Sequence, residues 1–168
     1  LRKRLISIIL AISGICVVLT TLAITSFGLI TLREKMLVDL NVTSTMTAHR
    51  LGPLLSYDPD ENLDKITESL EVFSSGEEDR LKSVRVACVY WSTILGNFEL
   101  VTGRIRDDVK DRQCPGQEEI ENKVNTIEFV GDNLRSYKEV NFSGLKQGYV
   151  YIEADLREID KYINSQLI

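Results

Sequence analysis

The chain has 168 residues, 43% of them hydrophobic, and its 20 Lys/Arg against 25 Asp/Glu leave a net charge of −5. Arg2, Lys3 and Arg4 are the only charges before residue 33, so the remainder holds 17 basic against 25 acidic residues, a net −8. Nucleic-acid binding is excluded on that balance, because Lys and Arg on phosphates supply most of such affinity. The length allows one domain with its own core and not two.

Between Arg4 and Arg33 run 28 residues without a charged side chain, sixteen of them Leu, Ile, Val or Phe. As a helix, 5–32 would span about 42 Å against a hydrocarbon core of about 30 Å. A cleaved signal peptide has an apolar region of only about 7–15 residues. The run therefore reads as a permanent anchor in the lipid bilayer, its Ser and Thr hydroxyls bonding back to their own helix. By the positive-inside rule, 1–4 form a cytoplasmic flank and 33–168 lie outside the cytoplasm, in a bacterium the periplasm. The chain opens on Leu1 rather than Met, and further cytoplasmic residues are expected before it.

From residue 33 to 55 no Gly or Pro intervenes before Gly52-Pro53. Leu32, Met36, Leu40, Thr43, Thr47 and Leu51 keep a spacing of three to four, so the membrane helix is expected to continue as a juxtamembrane rod. It would serve as a stalk or as the seam of a homodimer. "SYDPDENLDKITESLEVF" then reads as a turn at Asp58-Pro59-Asp60 and a short helix capped by Asp60. That helix would carry Leu63, Ile66, Leu70 and Phe73 on one face.

At "SVRVACVYW" the period changes to two. Val84, Val86, Cys88 and Tyr90 are expected on one face of a central strand, and Arg85, Ala87, Val89 and Trp91 on the other. "GNFELVTG" reads as its hairpin partner, and "RIRDDVKDRQCPGQEEIENK" as a charged loop. "NTIEFVG", "LRSYKEVNF" and "GYVYIEAD" are further strands, with turns at Gly131-Asp132-Asn133 and Ser143-Gly144. The closing "DLREIDKYINSQLI" predicts an exit helix over 155–168, capped by Asp155, and a second membrane span beyond it. The whole is an α+β architecture. A PAS- or Cache-like five-stranded antiparallel sheet over 56–154 would carry helices on one face and be entered and left by helices.

Of the three cysteines, Cys16 lies in the span. Cys88 and Cys114 lie where oxidising conditions allow a bridge, and closing that loop would stabilise by roughly 3–4 kcal/mol. The alternative is two free thiols. One histidine, His49, and scattered carboxylates assemble no catalytic constellation and no metal site, and no cofactor motif is present. The sequons at Asn41 and Asn141 matter only in a eukaryotic secretory pathway. The candidate small-ligand residues are aromatics of the sheet: Tyr90, Trp91, Phe98, Phe129, Tyr137 and Tyr149, with Tyr151 on the same face as Tyr149. Against this stands the plain alternative that they are core.

The layout resembles a known group. A basic flank, an anchor, a long helix, "YDPDENLDKITESL", and then "ACVYW", "GNFELVTG" and "CPG" are similar to the CHASE bacterial extracytoplasmic sensors, in particular the eighth subtype. Ala87-Cys88-Val89-Tyr90 and Cys114-Pro115 are the most specific elements. The resemblance implies a sensor between two membrane spans, a HAMP linker and a diguanylate cyclase making cyclic di-GMP, with a small ligand or a periplasmic regulatory protein as partner. Three alternatives stay open: the input domain of a histidine kinase or chemoreceptor, a single-span binding or scaffold protein, and a secreted enzyme with an unusual leader.

Overall fold

A computed structural model describes residues 2–71, 73, 84–93, 97–106 and 113–156. The chain divides into two compact units, Leu1–Val38 and Asp39–Ile168. Helix α1, Arg2–Leu55, begins in the first and ends in the second. In the first unit its described apolar side chains between Ile9 and Phe27 face outward, Ile9, Leu19 and Phe27 at 60%, 60% and 72% exposure. Ser13, Thr20, Thr21, Thr25 and Thr31 each donate a hydroxyl to the carbonyl three or four residues back. The side-chain polarity is thereby absorbed along the helix itself, and α1 is long and apolar enough to cross a membrane.

In the second unit the same helix buries Leu40, Ser44, Thr47, Ala48, Leu51 and Leu55. Steps of three and four put these on one side. Asp58 Oδ1 accepts from the Asp60 amide, closing the expected Asx turn. Helix α2, Leu63–Glu71, starts two residues later than Asp60 could cap. Asn62 stands at its head instead, its carbonyl accepting from the Ile66 amide and its side chain donating to Leu54 and Asp58 carbonyls. Ile66, Leu70 and the following Phe73 are buried, whereas Leu63 is 39% exposed and lies off that face.

The sheet has five strands: β1 (Val84–Ser92), β2 (Phe98–Ile105), β3 (Ile127–Val130), β4 (Asn133–Phe142) and β5 (Leu145–Asp155). Their order is β2-β1-β5-β4-β3, and every pair is antiparallel. Ser143 and Gly144, with φ of 52° and 80°, make the two-residue turn from β4 to β5, the mirror-image turn whose twist suits a hairpin. β5 is buried continuously from Gly148 to Asp155.

One sheet face carries Ala87, Val89, Leu134, Ser136, Val150, Ile152 and Ala154. It packs against α1, where the Ser136 hydroxyl donates to Ser44 Oγ at 3.0 Å. α2 meets β2 on its flank, with Glu71 Oε1 3.9 Å from Arg104 Nη1. The other face is covered by α3 (Gln117–Asn122), through Ile120, and by Cys114 and Val124.

Two of these expectations need correction. The charged stretch before Asn122 contains α3, not loop alone, and so helices flank both faces rather than one. A register shift between Val84 and Val86 pairs Val84 with Ala154 and Val86 with Glu153. That bulge at Arg85 moves Val84 to the face opposite Val86, Cys88 and Tyr90. Asp155 is the last residue of β5, and the exit helix expected to follow it, with its cap, falls outside the described residues.

Candidate ligand-binding face

Alternation in β1, β4 and β5, with the first residue of β2, gathers Val86, Cys88, Tyr90, Phe98, Tyr137, Tyr149 and Tyr151 into one buried cluster with Ile120. Phe98 and Tyr149 meet edge to face at 4.6 Å between centroids, and Tyr137 and Tyr151 at 5.1 Å. Four of the six candidate aromatics, Tyr90, Phe98, Tyr137 and Tyr149, are thus brought together. Trp91 points from the other face, paired with Gly148 and Glu99. Phe129 pairs with Leu134 on β3 and is 43% exposed.

Cys88 and Cys114 are joined by a disulfide, their Cα atoms 6.0 Å apart. It fastens the start of the α3 segment onto the middle of β1. Beside it, Tyr90 donates its hydroxyl to the Pro115 carbonyl at 2.6 Å. Gly103 sits opposite Cys88 in β2, and a Cβ there would lie 2.6 Å from Cys114 Sγ. Only glycine leaves room for the bridge to cross β2.

A charged network closes the far side of the cluster. Glu153, 2% exposed, accepts from Arg135 Nε at 2.9 Å and from the Tyr151 hydroxyl at 2.6 Å. Glu119 on α3 accepts from Tyr137 at 2.8 Å and lies 3.5 Å from Arg135 Nη1. Lys123 reaches Glu128 at 2.5 Å and Glu119 at 3.5 Å. Burial first, and then the neighbouring carboxylates, push the hydroxyls of Tyr90, Tyr137 and Tyr151 well above the ordinary tyrosine range. All three are neutral donors at physiological pH. The Lys123 ammonium is held above its usual value chiefly by its hydrogen bond to Glu128.

Nothing in the reading of the aromatics pointed to Arg135, Glu119 or Glu153. A signal was present: Arg135 and Glu153 stand two residues from Tyr137 and Tyr151, so strand alternation puts charge among the rings. At the opposite end of the cluster Lys146 Nζ lies 4.9 Å over the Phe98 ring and donates to the Tyr149 hydroxyl at 3.1 Å. This face is therefore filled by its own side chains and polar pairs. A cleft of about 420 Å³ opens elsewhere, at the end of β1 and β2, and another of about 200 Å³ lies beside Ala48, His49 and Lys138. None of the six candidate aromatics is a lining residue of either. Among the described residues no group of three His, Cys, Asp or Glu is placed to hold a metal ion. Compared with known proteins, the chain matches no family model, no curated protein and no solved structure.

Proposed function

We propose that this chain is the extracytoplasmic, signal-sensing input region of a bacterial inner-membrane signalling protein. In this reading the domain is PAS-like and of the CHASE type, works as a homodimer, and controls a cytoplasmic diguanylate cyclase through a HAMP linker. The observation that carries the proposal is α1. The helix whose first part is apolar and outward-facing is also the helix that supplies Leu40, Ser44, Thr47, Ala48, Leu51 and Leu55 to the core of the sheet unit. A rearrangement of that core cannot leave the helix where it was, because packed elements move between discrete arrangements rather than deform smoothly. The strand order β2-β1-β5-β4-β3 supports the PAS-like assignment. The disulfide supports an oxidising location, since such bonds persist outside the cytoplasm.

The test has two arms on the full-length protein in a bacterial host. Alkaline phosphatase inserted at the Ser143-Gly144 turn is expected to be active, and an inactive fusion would place the sheet in the cytoplasm and end the proposal. Cellular cyclic di-GMP is expected to change when dithiothreitol or periplasmic extract is applied to cells carrying the wild-type domain. A constant level under every condition, with the enzyme active, would reject sensing while leaving the location intact.

A further inference from the structure

A lysine on the α1 side of the sheet stands without the counter-charge its surroundings call for. Arg85, Lys123 and Arg135 are half-buried cations, and each meets a carboxylate, on Asp155, Glu128 and Glu153 respectively. Lys138 in β4 is half-buried too, yet among the described residues it has no ion pair, hydrogen bond or ring partner. Shielding an ammonium from water without an opposite charge costs free energy, and an anion beside it offsets that cost.

Lys138 follows Ser136 by two positions in β4, so alternation sets it on the face where Ser136 meets Ser44 of α1. There it lines the cleft of about 200 Å³, together with Thr45, Ala48 and His49 of α1 and Asn125 from the turn before β3. Glu139 contributes to the lining as well but does not neutralise its neighbour. It pairs with Tyr149 and by alternation faces the tyrosine side, and Asn141 Nδ2 donates to its carboxylate at 2.8 Å. Asn125 Oδ1 accepts from the Glu139 amide at 3.2 Å. The Asn125 Nδ2 group and the His49 ring are left with no protein partner among the described residues. The cleft thus offers N–H donors from three residues, one of them an ammonium.

We infer that this cleft binds a small oxyanion, a carboxylate or phosphate group, on Lys138, with Asn125 and His49 as further donors. At about 30 Å³ per water, a cleft of about 200 Å³ takes a ligand of about seven non-hydrogen atoms at most. Drug-sized ligands are excluded, since their pockets begin at about 300 Å³. Because the lining comes from both α1 and β4, the bound ion would bridge helix and sheet. The site stands apart from the tyrosine cluster and holds whether or not the domain signals.

His49 is the only histidine in the chain, so with carbon-13-labelled histidine its ring resonances report on this cleft alone. The full chain in a neutral detergent, at constant pH and in a buffer free of oxyanions, is titrated with acetate and with inorganic phosphate. Acetamide is the uncharged analogue, and sodium chloride controls for ionic strength. At least one oxyanion should shift the His49 resonances saturably, and neither acetamide nor chloride should. Lys138→Met keeps the aliphatic stem, removes the charge, and should weaken binding by about tenfold or more, the worth of one charge-assisted contact. Thr45 is exposed and bonds only to its own helix, through the Asn41 carbonyl. Thr45→Glu would put a carboxylate into the cleft and should weaken binding by a similar factor. A melting curve verifies folding, and if Lys138→Met does not fold, Thr45→Glu decides alone. No saturable shift with either oxyanion, the same response to acetamide or chloride, or affinity unchanged in the folded variants would overturn the inference.

Discussion

Replacing both Cys88 and Cys114 by alanine removes the bridge without leaving a reactive thiol. The closed loop has a sequence separation of 26. In the chain-entropy account, losing a constraint of that length costs about 3.5 kcal/mol at 25 °C. Unfolding entropy near 2.1 cal/mol/K per residue, over a unit of about 130 residues, converts this to a melting point lower by roughly 13 °C. The loss should be concentrated on one face, because the bridge is what pins Pro115 under the Tyr90 hydroxyl and α3 over Tyr137. Trp91 is the only tryptophan and reports from the neighbouring position to Tyr90. Thermal unfolding followed by its fluorescence, in wild type with and without reductant and in the double variant, reads that shift directly. Reduced wild type and the variant should agree. If both unfold within about 2 °C of the oxidised protein, the entropy argument fails for this loop.

Three further substitutions or conditions probe other contacts. Ser44 accepts from Ser136 and donates to the Asn41 carbonyl, so Ser44→Ala strands a buried donor and should cost about 1–3 kcal/mol, Ser136→Ala about 1, and the double variant less than their sum; additive losses in urea melts would contradict the pairing. Arg135→Met takes the guanidinium from nearly fully buried Glu153 and should cost about 3–5 kcal/mol, most of it recovered by adding Glu153→Leu; a single-variant loss under about 1 kcal/mol would deny the network its role. Tyr90, Tyr137 and Tyr151 hold their protons more tightly folded than unfolded. Their contribution is therefore complete below the ordinary tyrosine pKa of about 10 and is lost as pH rises above it. Urea midpoints should fall from about pH 10 upward, and phenolate absorbance from these three should appear only with unfolding; ionisation in the intact fold near pH 10 would refute it.

Much of this architecture was legible because its periods are clean. The stripe through Leu40, Thr47 and Leu51 is a helix pattern whatever it packs on, and alternation in "VACVY" and "GYVYIEAD" marks β1 and β5 locally. Other features depend on partners distant in sequence. "QEEIEN" offers one apolar residue, Ile120, and so no period; α3 exists because that side chain is buried among the tyrosines and the nearby disulfide ties its approach. The bulge at Arg85 follows from the register of β1 on β5, which residues 84–86 do not announce. Asp60 and Asn62 are both acceptable caps by type, and the buried Pro59 and the Leu54 and Asp58 carbonyls decide for Asn62. The split of the aromatics was half readable. Adjacent Tyr90 and Trp91 must face apart in any strand, but Phe129 is assigned its face only by pairing with Leu134.

β5 is the wall that both sides of the sheet share, and its two interfaces differ in strength. Tyr149, Tyr151 and Glu153 face a side fastened by a disulfide, by Arg135 and by Glu119 across the cluster. Val150, Ile152 and Ala154 share the face that meets α1, where among the described residues the hydrogen bond between helix and sheet is Ser136–Ser44, and α2 adds the loose Glu71–Arg104 pair at the flank. A covalent bond and buried ion pairs resist sliding; apolar contacts lose little when one surface slips by part of a residue, provided it re-seats. For the sensory reading, displacement would therefore be taken up at the seam between the sheet and α1, with the tyrosine side moving as one piece. In that seam Ser44 meets Ser136, and with Thr47 and Ala48 it makes a stretch of small side chains between Leu40 and Leu51, where re-seating costs least.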